Sequence, residues 1–294
     1  MEDPAEQAVL RVIETMRERL GERLTIDDMA RTAMFSKFHF TRIFQRVTGL
    51  SPGRFLSAMR LQKAQELLVT TSLNVADISY QVGYNSVGTF SSRFARSVGL
   101  SPTEYRQHGG YTPEVRMDRM AHTGHQSVAV RGTVLCPLAS HPARVFVGLF
   151  PDLTQGRPVA CTVLNRPGSY LLECVPPGTW YLVATSISND HGTTDHPTMS
   201  RHRTPTDPTL YLSRHPGVTV PPDTVVRLPD IRLRPSRAID PPMLLALPGL
   251  QRDGVTPPPA QATGVHLRSA RSWEAHHESA ATASAPAQPG SREP

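Results

Sequence analysis

The stretch Gly49-Leu50-Ser51-Pro52 recurs as Gly99-Leu100-Ser101-Pro102, and the residues ahead of both copies match as well. Leu24, Asp28, Met29, Ala33 and Phe35 reappear 49 positions later as Leu73, Asp77, Ile78, Val82 and Tyr84. After a one-residue insertion the interval becomes 50, and Phe40, Phe44 and Phe55 return as Phe90, Phe94 and Tyr105. Self-similarity at a fixed period means one supersecondary unit used twice.

Each copy reads as two short helices around a tight turn. Thr25 suits an N-cap, with Asp28 three residues on in the capping-box position. Asn74 and Asp77 occupy the same places in the second copy. The first helix stops near Phe35, and the second copy turns at Gly83-Tyr84. A helix from Ser36 then places Phe40, Ile43, Phe44 and Val47 on one stripe, the pattern of a core-facing side. Its other side presents Phe38, Thr41, Arg42 and Gln45, flanked by Lys37 and Arg46. In the second copy Val87, Phe90, Phe94 and Val98 form the core stripe, while Gly88, Thr89, Ser92 and Arg96 face outward with Arg93 at the edge. Between Ser36 and Lys63 there are six basic residues (Lys37, Arg42, Arg46, Arg54, Arg60, Lys63) and no acidic one.

Two helices at a tight turn, the second polar and basic outward, describe a helix-turn-helix whose second helix enters the major groove of DNA. Pro52 to about Thr70 reads as one connecting helix. At 1.5 Å per residue it spans about 28 Å, somewhat short of the roughly 34 Å of one duplex turn. Such a connector holds two recognition helices in successive groove segments on one face.

The formal charge of +6 and pI near 9.6 agree with a polyanionic partner. Arginine supplies 29 of the 31 Lys and Arg residues, and it suits bidentate contacts to phosphate and guanine. The acidic Met1-Glu2-Asp3-Pro4 does not fit a signal peptide, and no run approaches the roughly 18 apolar residues of a membrane span. A cytoplasmic protein without a membrane contact is expected. Cys136, Cys161 and Cys174 have no Cys-x-x-Cys spacing, so they read as small hydrophobes rather than a disulfide framework or zinc site. No cofactor and no metal are expected.

The remainder divides by composition. Residues 108–126 read as a linker after a helical domain over 1–107. Residues 127–236 carry short alternating runs, plain in Ala143–Phe150, Ser169–Glu173 and Trp180–Thr185, with a last strand from Val225 to Leu233. About seven such runs argue a β-sandwich. Residues 237–294 turn to Pro, Ala, Ser and Thr and read as a mostly disordered tail. Its apolar island Met243–Leu247 is expected to dock on the strand domain. The loop 187–208 holds Asp190, His191, Asp195, His196, His202 and Asp207. These suit a divalent metal or polar effector, but their irregular spacing favours a solvated loop. The fold class is therefore an all-α double helix-turn-helix domain, then an all-β sandwich and a disordered tail.

Residues 5–107 resemble the DNA-binding domain of the AraC/XylS family of bacterial transcription regulators. The resemblance rests on Ser36-Lys37-Phe38-His39-Phe40-Thr41-Arg42-Ile43-Phe44, on Val82-Gly83-Tyr84-Asn85-Ser86 through Phe90-Ser91-Ser92-Arg93-Phe94, and on Gly99 through Arg106. It implies a bipartite seven-helix domain whose third and sixth helices enter adjacent major grooves of double-stranded DNA, with RNA polymerase as a further partner. Matching positions make Phe38, Thr41 and Arg42 base readers, with Gln45 on the same stripe, and Gly88, Thr89 and Ser92 their counterparts. Ser36, Lys37, Arg46, Ser86, Arg93 and Arg96 are expected at the DNA backbone. Gly88 and Ser92 are small, so the second unit positions more than it reads.

Gly132-Thr133-Val134, Ala143–Phe150, Gly168-Ser169-Tyr170 and Val175–Tyr181 resemble the carboxypeptidase regulatory-like (prealbumin-like) sandwich, which implies a fold rather than an activity. The sandwich suits a sensor of a small-molecule effector, a homodimerisation module or a partner-docking module. The alternative is a DNA-binding domain fused to an enzymatic or carbohydrate- or ligand-binding sandwich. No cysteine has an activating neighbour and no nucleophile–base pair stands out, so no catalytic residue is expected.

Overall fold

The computed structural model describes residues 3–110, 128–136, 144–153, 157–188, 209–222 and 225–246. Seven helices come first: α1 (Pro4–Glu18), α2 (Ile26–Ala33), α3 (Lys37–Thr48), α4 (Pro52–Thr70), α5 (Val75–Gln81), α6 (Val87–Val98) and α7 (Pro102–Gln107). The sequence repeat appears as repeated packing. Phe44 lies between Phe40 and Phe55, with ring centroids 5.5 and 5.4 Å away. Phe94 lies between Phe90 and Tyr105 at 5.6 and 5.5 Å. Gly49 (φ 79°) and Gly99 (φ 90°) end α3 and α6 in the left-handed conformation, which a glycine adopts without a Cβ clash.

The connecting helix is more than a spacer. Phe55, Leu56 and Met59 of α4 belong to the core of the first module, while Ala58, Leu61, Ala64, Leu67 and Leu68 belong to that of the second. Arg60 sits between the two sets. Its Nε donates to the Leu20 carbonyl at 2.9 Å and its Nη2 to that of Glu22 at 2.7 Å, both beyond α1. Nη1 donates to the Gly83 carbonyl at 3.0 Å, in the turn before α6. Desolvation by burial lowers the guanidinium pKa from its ordinary value. Gly21 lies so near the Gln81 carbonyl that a Cβ would stand 2.6 Å from its oxygen, so the modules also meet through backbone.

Nine strands follow among the described residues: β1 (Val128–Leu135), β2 (Val145–Phe150), β3 (Ala160–Leu164), β4 (Ser169–Val175), β5 (Gly178–Ser188), β6 (Thr209–Val220), β7 (Val226–Arg227), β8 (Ile231–Arg232) and β9 (Arg234–Pro235). One sheet has the order β4-β1-β7, with β8 also paired to β1, and the other β3-β2-β5-β6-β9. Val130, Val134, Tyr170 and Leu172 of the first sheet share a core with Val145, Val147, Leu149, Leu182 and Ala184 of the second. The layers form a sandwich.

Two strand readings need correction. β2 was expected to alternate, yet all six of its residues are buried. Its outward Phe146 and Phe150 are covered by Leu153, Met243 and Leu245. The run Val225–Leu233 is two short strands, because its pairing with β1 slips by one residue between Val130↔Val226 and Val134↔Ile231, at the stretch that holds Pro229. Val87, expected in the core of the second module, is only half-buried.

Residues 237–246, expected as the start of the tail, pack instead against both regions. Met243 and Leu245 lie against Phe146, Phe150 and Val183. Ile239 enters the first helical core, and Leu244 and Ala246 enter the second. The island thus docks on the strands as expected and on the helices as well. The rest of the tail, most of the linker and loop residues 189–208 lie outside the described residues.

Replacing Arg60 with Met removes three hydrogen bonds and leaves three carbonyls to find other partners. Chemical denaturation should show a loss of about 2–4 kcal/mol; a loss below about 0.5 kcal/mol would contradict the role given to Arg60.

Candidate nucleic-acid interface

The two turns that aim α3 and α6 share one backbone design. In the first, Met34 adopts φ 60° and the Phe35 amide donates to the Ala30 carbonyl at 3.0 Å. In the second, Gly83 adopts φ 86° and the Tyr84 amide donates to the Ser79 carbonyl at 2.9 Å. The 49-residue interval therefore carries over to individual hydrogen bonds. Ahead of the first turn, Thr25 Oγ1 accepts from the Asp28 amide at 3.2 Å and Asp28 Oδ2 accepts from the Thr25 amide at 3.0 Å. The Thr25 hydroxyl and amide hold the Asp28 carboxyl below its ordinary pKa. Asn74 Oδ1 caps α5 by accepting from the Asp77 amide at 2.8 Å.

Ser36 and Ser86 act as helix caps. Each Oγ accepts the amide three residues on, from His39 and Thr89 respectively, both at 3.4 Å. Neither helix has an acidic residue in its first turn, so the positive end of each dipole is unopposed there.

Along α3, Phe38 is 76% exposed, Lys37, Arg42, Gln45 and Arg46 are exposed, and Thr41 is half-buried. Thr41 Oγ1 donates to the Lys37 carbonyl at 2.9 Å, which directs its hydroxyl back to the helix. Along α6, Gly88, Thr89, Ser92, Arg93 and Arg96 are all exposed. Arg42, Arg46, Arg93 and Arg96 make no hydrogen bond or ion pair with the described residues, leaving four guanidiniums open to an external anion.

Half of the acid-free basic run does other work. Arg54 forms an ion pair with Asp152, Lys63 pairs with Glu66 at 2.8 Å, and Arg60 ties the modules together. Lys37 pairs with Asp27 at 3.2 Å, but both side chains are more than half exposed, so the pair is weak and separable. Sequence reasoning missed Met34, which is 84% exposed in the turn ahead of Phe38. The repeat held the signal, since Met34 aligns with Gly83.

Residues 29–108 match the family described as a helix-turn-helix domain. This part of the chain is a helix-turn-helix domain. The lactose operon transcription activator of Staphylococcus xylosus is 29% identical over 106 residues, covering 36% of this chain and 38% of that protein. The HTH-type transcriptional activator AarP of Providencia stuartii is 34% identical over 87 residues, covering 30% of this chain and 64% of that one. A solved transcriptional regulator of Chromobacterium violaceum, described as containing an AraC-type DNA-binding domain, is 26% identical. It superposes with a TM-score of 0.35, covering 35% of this chain and 93% of that structure. The chain spans less than two thirds of the length of both activators. No helix among the described residues is long and apolar enough to cross a membrane, and no group of three or more His, Cys, Asp or Glu there could hold a metal ion.

Two predictions come from the helix-turn-helix domain itself. Ser36→Ala and Ser86→Ala should each lower stability by about 0.5–2 kcal/mol in denaturant titration, the usual cost of an N-cap; unchanged midpoints would contradict the capping role. Met34→Gly should raise stability by about 0.5–1 kcal/mol by relieving a left-handed residue that packs on little. A lower midpoint would mean that the Met34 side chain supports the turn.

Proposed function

We propose that the protein is a sequence-specific DNA-binding regulator of transcription of the AraC/XylS type. α3 and α6 read adjacent major-groove segments. The supporting observation is the duplicated turn, which presents two acid-free helix faces carrying four arginines that have no partner among the described residues. Phe38, Thr41, Arg42 and Gln45 read bases in the first segment, and Gly88, Thr89 and Ser92 lie over them in the second. Exposed Phe38 suits a thymine methyl, and Arg42 suits bidentate pairing with guanine. Lys37, Arg46, Arg93 and Arg96 neutralise phosphates, while Ser36 and Ser86 add contacts beside the capped helix ends.

The sandwich, of the prealbumin-like kind, serves this regulator as a sensor of a small effector or as a homodimerisation module. The protein acts in the cytoplasm, with RNA polymerase as a further partner. An enzymatic sandwich is less well supported. Burial raises the Cys161 thiol to about 11, which keeps it protonated and unreactive near neutral pH.

Selection of bound sequences from a random duplex pool, with the full-length protein, tests this reading. Two short half-sites about one helical turn apart should be enriched; no enrichment would overturn it. On the selected duplex, Arg42→Ala should lose about 1–3 kcal/mol of discrimination against a scrambled sequence while retaining salt-sensitive binding. Arg46→Ala and Arg96→Ala should weaken binding to all duplexes alike and reduce the salt slope by about one unit each. Unchanged discrimination in the first variant, or an unchanged slope in the others, would contradict the assigned roles.

A further inference from the structure

Beyond β9 the chain leaves the sandwich as a strap that touches the second sheet and both helical modules. The Ser236 amide still donates to the Leu210 carbonyl at 2.8 Å, continuing the edge of the sheet. Asp240 then closes a turn. Its carboxylate accepts from Arg234 Nη1 and Nη2 at 2.8 and 2.7 Å and from the Arg237 amide at 2.7 Å. Arg214 of β6, itself largely withdrawn from water, donates through Nη2 to the Pro241 carbonyl. Arg237 reaches Glu6 of α1 as an ion pair.

From Met243 to Ala246 the strap alternates between two layers with the period of an extended chain. Met243 and Leu245 face the sheet, against Phe146, Phe150 and Val183. Leu244 and Ala246 face the helices and are 4% and 3% exposed within the core of the second module. Ile239, 7% exposed, is in the core of the first. Backbone bonds fix the register. Buried Gln65 of α4 donates through Nε2 to the Leu244 carbonyl at 2.8 Å, and the Ala246 amide donates to the Val98 carbonyl, at the end of α6, at 3.1 Å. Close by in sequence to β2, Asp152 pairs with Arg54 of α4 and Leu153 packs into the first core.

We infer that residues 237–246 are a brace that holds the two helix-turn-helix modules and the sandwich as one body. Ile239, Leu244 and Ala246 thereby act as positioning residues for the spacing of the two reading helices. The strap completes two separate helical cores with side chains from a single short segment, so movement of one module against the other would pull apolar groups into water. This segment also bonds to α6 near its C-terminus, where a tilt of the second reading helix would be resisted. The mechanical part stands on packing alone; the consequence for DNA rests on the function proposed above.

Calorimetry and duplex binding on the full-length protein test both parts. The wild type should melt in one transition, whereas Leu244→Asp, which places a carboxylate between strap and helices, should split the melt into two. On duplexes selected by the wild type, inserting one base pair between the half-sites should weaken wild-type binding by about tenfold and the variant by less than about threefold. Gln65→Met removes only the bond to the Leu244 carbonyl and should shift both measurements in the same direction by less, which keeps the test informative if Leu244→Asp does not fold. A single unchanged transition in the folded variants overturns the brace. A split melt with the full spacing penalty overturns the positioning role. A split melt in a protein that selects no duplex overturns the DNA reading and leaves the brace standing.

Discussion

One helix has to serve two hydrophobic cores, and the rest of the helical half follows from that. The first turns of α4 are filled by the aromatic trio of one module and its later turns by that of the other. A helix buried this way cannot swivel without exposing one core. Arg60 adds direction, because a planar guanidinium with three bonded donors fixes the orientation of both neighbouring loops. The result is a pair of equivalent turns set at one relative pose, and their exposed helices inherit that pose.

Much of this was legible in the residues because each signal was local and repeated. Thr25 with Asp28, Asn74 with Asp77, and the two Gly-Leu-Ser-Pro stops mark helix ends through short-range chemistry, and the structure places helix boundaries there. The outward faces of α3 and α6 could be read from periodicity, since one stripe was aromatic and the other polar. Tertiary partners were beyond the reach of such rules. Arg54, Arg60 and Lys63 looked like three more contributors to a basic face. Their roles are set by Asp152, by backbone carbonyls and by Glu66, and only the last lies within one helical turn in sequence.

The strand half shows the same limit more strongly. β4 alternates because one of its faces meets solvent, and its pattern could be read directly. β2 has the composition Val-Phe-Val-Gly-Leu-Phe because both of its faces are covered, the second by a segment some hundred residues away whose composition suggested a tail. Proline misled in two ways. Pro229 lies where the pairing of an apparently continuous strand slips by one residue, while Pro241 and Pro242 belong to an ordered strap in which the Pro241 carbonyl is hydrogen-bonded. Composition registers the prolines of such a segment, but not that its Ile239, Leu244 and Ala246 are buried in helical cores.

Packing and hydrogen bonds therefore run without a break from β2 and β5 to the C-terminal end of α6, through Leu245 on Phe146, Phe150 and Val183, Leu244 in the second helical core, and the Ala246 amide on the Val98 carbonyl. A change in the sandwich has a physical route to the helix faces. In the function proposed, those faces meet a duplex together, on one side and in fixed register. Hydroxyl-radical footprinting of the full-length protein on its selected duplex measures this directly. Two protected windows on one face of the duplex, about ten base pairs apart, are the predicted result. A single window, or two windows on opposite faces, would contradict it.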